Sequence, residues 1–420
     1  MAEAEPADRK MPAQAGIVCA GNWIVDMVLT IDHWPQKNDL ARIEAADHGI
    51  GGGAANVFTN LAGLRPDLPL IPVGCIGDDA YAEVVLHHCK SLGADTAGLK
   101  RIANVATAHT HVMTVPGDSR TFFYAGGAND FFGRGHVEID NLAKAGARLF
   151  YLGYILLLAE MDRLRSDGGT AAADSLAEAR QAGLITCVDL VSVHHAHFSQ
   201  IVAVAAPHID YLIVNENEAA RASGIELPGQ NPASPAEMMR AVQRAAQKLL
   251  QMGVNQAVII HTPDFAVWTA RDGTQISDAA CPLDEHNIAS PVGAGDAFCS
   301  GILYGIALRP SIWPCRQQMA AFLKSVRLSK PDRHIHFSQR GLNDECVFEN
   351  RAWWILRHCV CAVDGPARCG TEIRAILNKW SWILDHGGQP LIDGLGCNRL
   401  GQHFMDTEAC GIFHMLAFCM

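Results

Sequence analysis

Two glycine-rich stretches, each running into an apolar segment of helical period, carry the residues of this chain that could do chemistry. In "SPVGAGDAFCSGILYGI" the run Gly293, Ala294, Gly295 leads to Asp296, and the apolar residues Ala297 to Ile306 follow. Amides at a helix start have no helical carbonyl to bond, and the helix dipole favours a negative group there. Glycines let that backbone approach a phosphate closely. A carboxylate binds an anion poorly, but it is suited to taking a proton from a hydroxyl that attacks a phosphoryl group. The bland alternative is an aspartate placed at a helix N-terminus by the dipole alone. In "GIGGGAANVFTNLAGL" Gly51, Gly52 and Gly53 precede a second helix whose first turn holds Asn56, an amide able to donate to and accept from hydroxyls.

Other readings of these residues are weaker. Gly49, Gly51 and Ala54 match G-x-G-x-x-A, but they follow an alternating polar strand, and no acidic residue closes a following strand at the spacing of a dinucleotide site. No Gly-Lys-Ser/Thr occurs, which excludes a P-loop. His194, His195 and His197 stand close together without a Cys or carboxylate at ligand spacing, so a metal site there is not expected. Cys299 lies in an apolar helix and reads as core, not as a nucleophile. The aromatics of "TFFYAGGAND" could face a substrate or pack on a neighbouring sheet.

The elements that must position the glycine loops are legible between about residues 15 and 306. Short β-branched runs ("GIVCAGNW", "LPLIPVGCIG", "ARLFYLGYIL", "LITCVDLV", "IDYLIVN", "QAVIIHT") alternate with helical stretches, which predicts an α/β fold with a mostly parallel sheet covered by helices on both faces. Two segments, near 39–50 and 107–127, alternate with period two instead. The second contains the turn "PGDS" and reads as a hairpin, so the pair predicts a small β-sheet standing off the main one.

The formal charge of −11 and the lack of a Lys/Arg stripe argue against a nucleic-acid or anionic-membrane partner. The longest apolar run, "LFYLGYILLLA", is shorter than the ~20 residues that span a bilayer. Residues 1–14 are acidic and polar, unlike a secretory signal, and are expected to form a disordered leader. The 14 cysteines are scattered without metal-type pairs, which suits reduced thiols and a cytoplasmic location.

Together the two glycine motifs, in this order and about 240 residues apart, resemble the signatures of the PfkB or ribokinase family of carbohydrate kinases. "VNENEA" resembles the family's N-x-x-E motif through Asn215 and Glu218. The resemblance covers roughly residues 15 to 306 and implies a ribokinase-like sheet with a small β lid, ATP and Mg²⁺. It implies Asp296 as the base on the acceptor hydroxyl, with Gly293, Ala294 and Gly295 forming the anion hole at the nucleotide phosphates. Asp26, Gly52, Gly53 and Asn56 would line the pocket for a sugar or sugar-like molecule. Glu218 and Asn215, helped by Asp189, would order Mg²⁺ near the phosphates; for "NENE" a helix cap is the plain alternative, and for Asp26 a strand-end turn. Exposed lid sheets of related proteins often pair, so a homodimer through the lid is consistent with the resemblance. The readings to be separated are a kinase, a sugar-binding protein on a kinase scaffold with catalysis lost, and a nicotinamide-dependent oxidoreductase.

The chain departs from the family pattern in three places. Ser290, Pro291 and Val292 stand where many members have Asp-Thr-Thr, and His261 to Phe265 supply no glycine turn near the nucleotide. From residue 307 to 420 the strand–helix alternation fades, and Cys and Trp are concentrated there; a divergent helical tail is the plain reading and an altered reading frame or splice variant the sharper one. Pro310 and Pro314 fall where an uninterrupted adenine-pocket helix is needed, and an interior proline costs a helix ~3 kcal/mol. The chain is therefore expected to bind its sugar but to bind ATP poorly and turn over slowly. Isothermal titration with ATP and Mg²⁺ checks this: micromolar affinity with turnover near ~10 per second would contradict it.

Overall fold

The computed structural model describes residues 16–64, 68–116, 120–228, 235–280 and 293–308. The expected leader, the Ser290–Val292 departure and the region beyond residue 308 lie outside the described residues. In chain order the strands are β1 (Gly16–Gly21), β2 (Ile24–Ile31), β3 (Ile43–Gly51), β4 (Leu70–Ile76), β5 (Leu99–Arg101), β6 (His109–Thr114), β7 (Arg120–Ala125), β8 (Ala147–Ile155), β9 (Ile185–Leu190), β10 (Tyr211–Asn215), β11 (Ala257–His261), β12 (Phe265–Ala270) and β13 (Gln275–Ala279). The α-helices are α1 (Gly53–Leu64), α2 (Ala80–Ser91), α3 (Ile139–Lys144), α4 (Ala159–Asp162), α5 (Ala171–Gln181), α6 (Phe198–Ala205), α7 (Glu216–Ser223), α8 (Pro235–Gln251) and α9 (Ala294–Leu308).

Nine strands form the main sheet in the order β13-β12-β11-β10-β9-β8-β1-β4-β5, and β12 alone runs against its neighbours. Its central strands are apolar almost throughout because helices cover both faces. Alternate residues divide between two cores. Val18, Phe150, Leu152, Val188, Leu212 and Val258 face the layer built by α5, α6 and α8. Ile17, Cys19, Leu149, Cys187, Ile213 and Ile259 face α1 and α9, which supply Phe58, Leu61, Phe298 and Ile302.

The second sheet has the order β3-β2-β6-β7. The segments expected near 39–50 and 107–127 supply β3, β6 and β7, with the hairpin pairing Thr114 to Arg120. Its fourth strand, β2, was not anticipated. "IVDMVLTI" is nearly continuous in apolar residues, and only Asn22 and Trp23 separate it from β1, so by pattern it merges with the buried strand before it. Also unanticipated were the short β5 and the antiparallel β12 and β13. The glycine-free turn from β11 to β12 is closed by Thr262, whose amide donates to the Phe265 carbonyl at 2.8 Å and whose hydroxyl accepts from the amides of Asp264 and Phe265.

The three consecutive glycines before α1 each make room for another part of the protein. A Cβ at Gly51 would lie 2.2 Å from the Asp26 carboxylate, and one at Gly53 would lie 2.6 Å from the ring of Tyr154. Gly52 has φ +94° and its Cβ would meet the Asn22 carbonyl oxygen at 2.6 Å. Gly63, in the last turn of the same helix, has nothing among the described residues within 4 Å of such a Cβ. Gly52→Ala is therefore expected to destabilise the fold by about 1–3 kcal/mol, whereas Gly63→Ala is expected to stabilise it by up to about 1 kcal/mol. Urea unfolding of the two variants beside the wild type measures both signs.

Candidate functional site

Because β1, β8, β9, β10 and β11 are parallel, their carboxyl ends lie along one edge, the usual place for a ligand in such a sheet. Asp189 near the end of β9, Asn215 at the end of β10, and Tyr154 near the end of β8 all project from that edge. The N-termini of α1 and α9 are brought to the same edge, since the two helices pack on each other.

Asp296, in the first turn of α9, is 4% exposed. Its Oδ2 accepts hydrogen bonds from Asn56 Nδ2 at 2.8 Å and from the Tyr154 hydroxyl at 2.9 Å. No donor among the described residues occupies Oδ1. Gly293, at φ +80°, precedes the helix, and its carbonyl accepts from the Ala297 amide at 2.9 Å. The first amides of α9, at Ala294 and Gly295, thus have no helical carbonyl to bond. Burial pushes the Asp296 carboxyl up to about 7; the Asn56 and Tyr154 donors oppose that, and the charge of Glu218 adds to it.

Asp189 is buried. It accepts from the Tyr154 amide at 2.7 Å and from the Tyr151 hydroxyl at 2.8 Å. Burial first, and the charge of Asp296 second, push its carboxyl well above the ordinary range. Asn215 and Glu218 form a reciprocal helix cap. The Glu218 amide donates to Asn215 Oδ1 at 2.9 Å, and Glu218 Oε2 accepts from the Asn215 amide at 3.0 Å. Ser192 donates to the other Glu218 oxygen at 2.8 Å, and burial raises Glu218 to about 7. The capping reading of "NENE" is thus realised in the geometry.

Asp26 lies on β2, opposite Gly49 and Thr110. Burial raises it to about 6, against a hydrogen bond with Thr110. Gly51 is the glycine that lies against Asp26, whereas Gly52 faces Asn22, Gly53 faces Tyr154, and the Asn56 side chain is directed to Asp296. Sequence reasoning missed Tyr154, Tyr151 and Ser192. The sole signal for Tyr154 was its place at the end of an apolar strand; nothing in "YLGYIL" marks its φ of +55°.

Asp296, Asp189 and Glu218 are three buried acids, each destabilised as an anion, and no Lys or Arg among the described residues pairs with them. That donor set fits a hard cation. Both oxygens of Glu218 and of Asp189 already accept protein donors, which suits a Mg²⁺ that keeps its waters between itself and the carboxylates. Among the described residues no group of three or more His, Cys, Asp or Glu is arranged to hold a metal ion directly. Cys299 is buried and its thiol is pushed up by burial, as a core residue requires.

A family model described as pfkB family carbohydrate kinase matches residues 14–315. The chain is 25% identical over 316 residues to a ribokinase of Schizosaccharomyces pombe, covering 70% of this chain and 88% of that protein. It is 23% identical over 297 residues to an adenosine kinase of Saccharomyces cerevisiae, covering 69% and 82%. Among solved structures, Arabidopsis thaliana ribokinase complexed with ribose and ATP superposes with a TM-score of 0.55 at 18% identity, covering 75% of this chain and 91% of that one. This likeness shows the shared ribokinase-like fold.

The burial of Asp296 has a consequence for stability. A carboxyl whose folded pKa is raised from 3.8 to about 7 holds its proton more tightly in the native state. Its contribution is fully present below the unfolded pKa and is lost as pH rises through about 7. Asp296→Asn removes the ionisation. The variant is expected to be more stable than wild type at pH 8, on the order of 2–4 kcal/mol, with the difference vanishing toward pH 4. Melting curves across that range test the sign.

Proposed function

We propose, from the premise that the chain belongs to the pfkB family of carbohydrate kinases, that it transfers the γ-phosphoryl group of ATP to a hydroxyl of a sugar or sugar-like molecule. The observation that carries this reading is the place of Asp296 in the first turn of α9, hydrogen-bonded to Asn56 on α1. In this reading Oδ1 of Asp296 takes the proton of the acceptor hydroxyl as its oxygen bonds to the γ-phosphorus and the bond to the β-phosphate oxygen breaks, leaving ADP. The α9 amides from Gly293 to Gly295 stabilise the charge on the phosphoryl oxygens. Mg²⁺, held through water by Glu218 and Asp189 near Asn215, would neutralise phosphate charge.

Asp26 and Thr110 hold acceptor hydroxyls. The next row on that face of the smaller sheet, Asp47, Val28, Val112 and Phe122, sets one carboxylate beside three apolar side chains. The smaller sheet acts as a lid that excludes water, and the half-exposed Phe123 of β7, on the face opposite to Phe122 and stacked on Trp34 of the β2–β3 connection, supports pairing with a second copy. No helix among the described residues is long and apolar enough to cross a membrane. A cytoplasmic location accords with the buried free thiols Cys19, Cys75, Cys89, Cys187 and Cys299.

Phosphoryl transfer from ATP to ribose, deoxyribose, fructose and adenosine is the direct test. Asp296→Asn should lower turnover by roughly 100-fold or more while acceptor binding changes little. Glu218→Gln should raise the Mg²⁺ concentration needed for half-maximal rate more than it changes acceptor KM. Unchanged turnover in the first variant removes Asp296 from the base role, and an unchanged Mg²⁺ titration in the second leaves Glu218 as a cap.

A further inference from the structure

Tyr154 has backbone φ +55° and Leu156, two residues on, has φ +86°. Bulky residues in the left-handed region are uncommon and persist where the surroundings over-determine them. Here five hydrogen bonds do so. The Tyr154 amide donates to Asp189 Oδ1, and the Tyr154 carbonyl accepts from the Leu157 amide at 3.1 Å. Buried Asp162 accepts from the amides of Leu156 and Leu158 at 3.0 and 2.7 Å. Asn22 donates to the Leu157 carbonyl at 3.0 Å. The pairing of β8 with β9 breaks register between Leu152 and Ile155, which lets the strand turn out of the sheet at this point.

The turn directs the Tyr154 ring over Gly53, where any Cβ would collide with it, and places its hydroxyl on Oδ2 of Asp296. Packing alone would be served by a phenylalanine. The hydroxyl is spent on one oxygen of one carboxylate, the oxygen that Asn56 also occupies.

We propose that Tyr154 is a positioning residue, whose hydroxyl together with the Asn56 amide fixes Oδ2 of Asp296 so that Oδ1 is turned toward the acceptor hydroxyl. This rests on the kinase reading above and deepens it. Tyr154 also couples that orientation to the rest of the acidic cluster, since its amide holds Asp189 while its hydroxyl holds Asp296. The titratable groups around Asp296 are Tyr151 and Tyr154 from β8, Asp189 from β9, Glu218 from α7 and Cys299 from α9 itself, with His261 of β11 lying against Gly295 and Phe298. Of these, the Tyr154 hydroxyl is the one that donates to the Asp296 carboxylate.

Tyr154→Phe keeps the ring and removes the donor. With ATP and whichever of ribose or adenosine the full chain phosphorylates faster, kcat is expected to fall about 10- to 100-fold with acceptor KM changed less than about twofold. The acid limb of the kcat profile is expected to move to higher pH, because a donor to the ionised carboxylate is lost. Replacing Tyr154 by 3-fluorotyrosine, which retains the hydroxyl and makes it a stronger donor, should move that limb to lower pH and serves if the phenylalanine variant folds poorly. In an Asp296→Asn background Tyr154→Phe should cost nothing further. An unmoved acid limb with unchanged kcat overturns the proposal, as does an equal loss in the Asp296→Asn background. Wild-type turnover in Asp296→Asn itself overturns the kinase-base reading and this proposal with it, whereas a dead Asp296→Asn beside an unaffected Tyr154→Phe overturns this proposal alone.

Discussion

Asp296 is a carboxylate nearly removed from water, with two further buried acids close enough to raise its pKa or that of a neighbour. An isolated buried charge is costly, and an ordinary fold would cancel it with a lysine or arginine. Such a cation would hold the carboxylate ionised, but it would also depress its basicity and weaken it as a proton acceptor. The surroundings instead supply neutral donors: Asn56 and Tyr154 on Asp296, Tyr151 and a backbone amide on Asp189, Ser192 and a backbone amide on Glu218. They satisfy hydrogen-bonding capacity without neutralising the charge. The remaining deficit is one that a hydrated cation could fill.

Holding such a cluster requires elements that do not yield. Parallel strands buried on both faces provide them, because their carboxyl ends are fixed by hydrogen bonds on either side and by two separate cores. The glycines at the edge follow from the same requirement. Gly51, Gly52 and Gly53 let Asp26, the Asn22 backbone and the Tyr154 ring converge within the space a methyl group would fill. The phosphate-facing role read for glycine at the second motif is a different matter, since among the described residues nothing lies within 4 Å of a Cβ at Gly293 and its positive φ is what argues for the residue.

Much of this was visible in the chain because it is written in local chemistry. Asp296, Asn56, Asn215 and Glu218 sit at helix starts, and helix starts have recognisable residues before and after them. The two-sided burial of the main sheet was likewise visible as continuous apolar strands. Tyr154 was not visible, because its role depends on a backbone reversal imposed by Asp189, Asp162 and Asn22, residues distant in sequence or silent in pattern. The family resemblance implied a place for Asn56 in the acceptor pocket. Only the packing of α1 on α9 turns its amide toward Asp296, a contact across 240 positions of sequence. Strand β2 was hidden for a third reason, that an apolar run does not record where it changes sheets.

The change of sheet itself has a mechanical meaning. Between β1 and β2 stand only Asn22 and Trp23. Trp23 is fully buried, its Nε1 donating to the Val73 carbonyl at 3.0 Å and its ring set edge-on to Phe58. The chain re-enters the smaller sheet at β6 just after Thr107, whose amide and hydroxyl donate to the Asp79 carboxylate that also caps α2. Both of these connections are therefore anchored to the main domain. Asp26 is three residues beyond Trp23, so its distance from Asp296 is set by the packing of β1, β4 and α1 and not by a compliant loop. The position of Asp26 is thereby referred to the same rigid elements that hold Asp296.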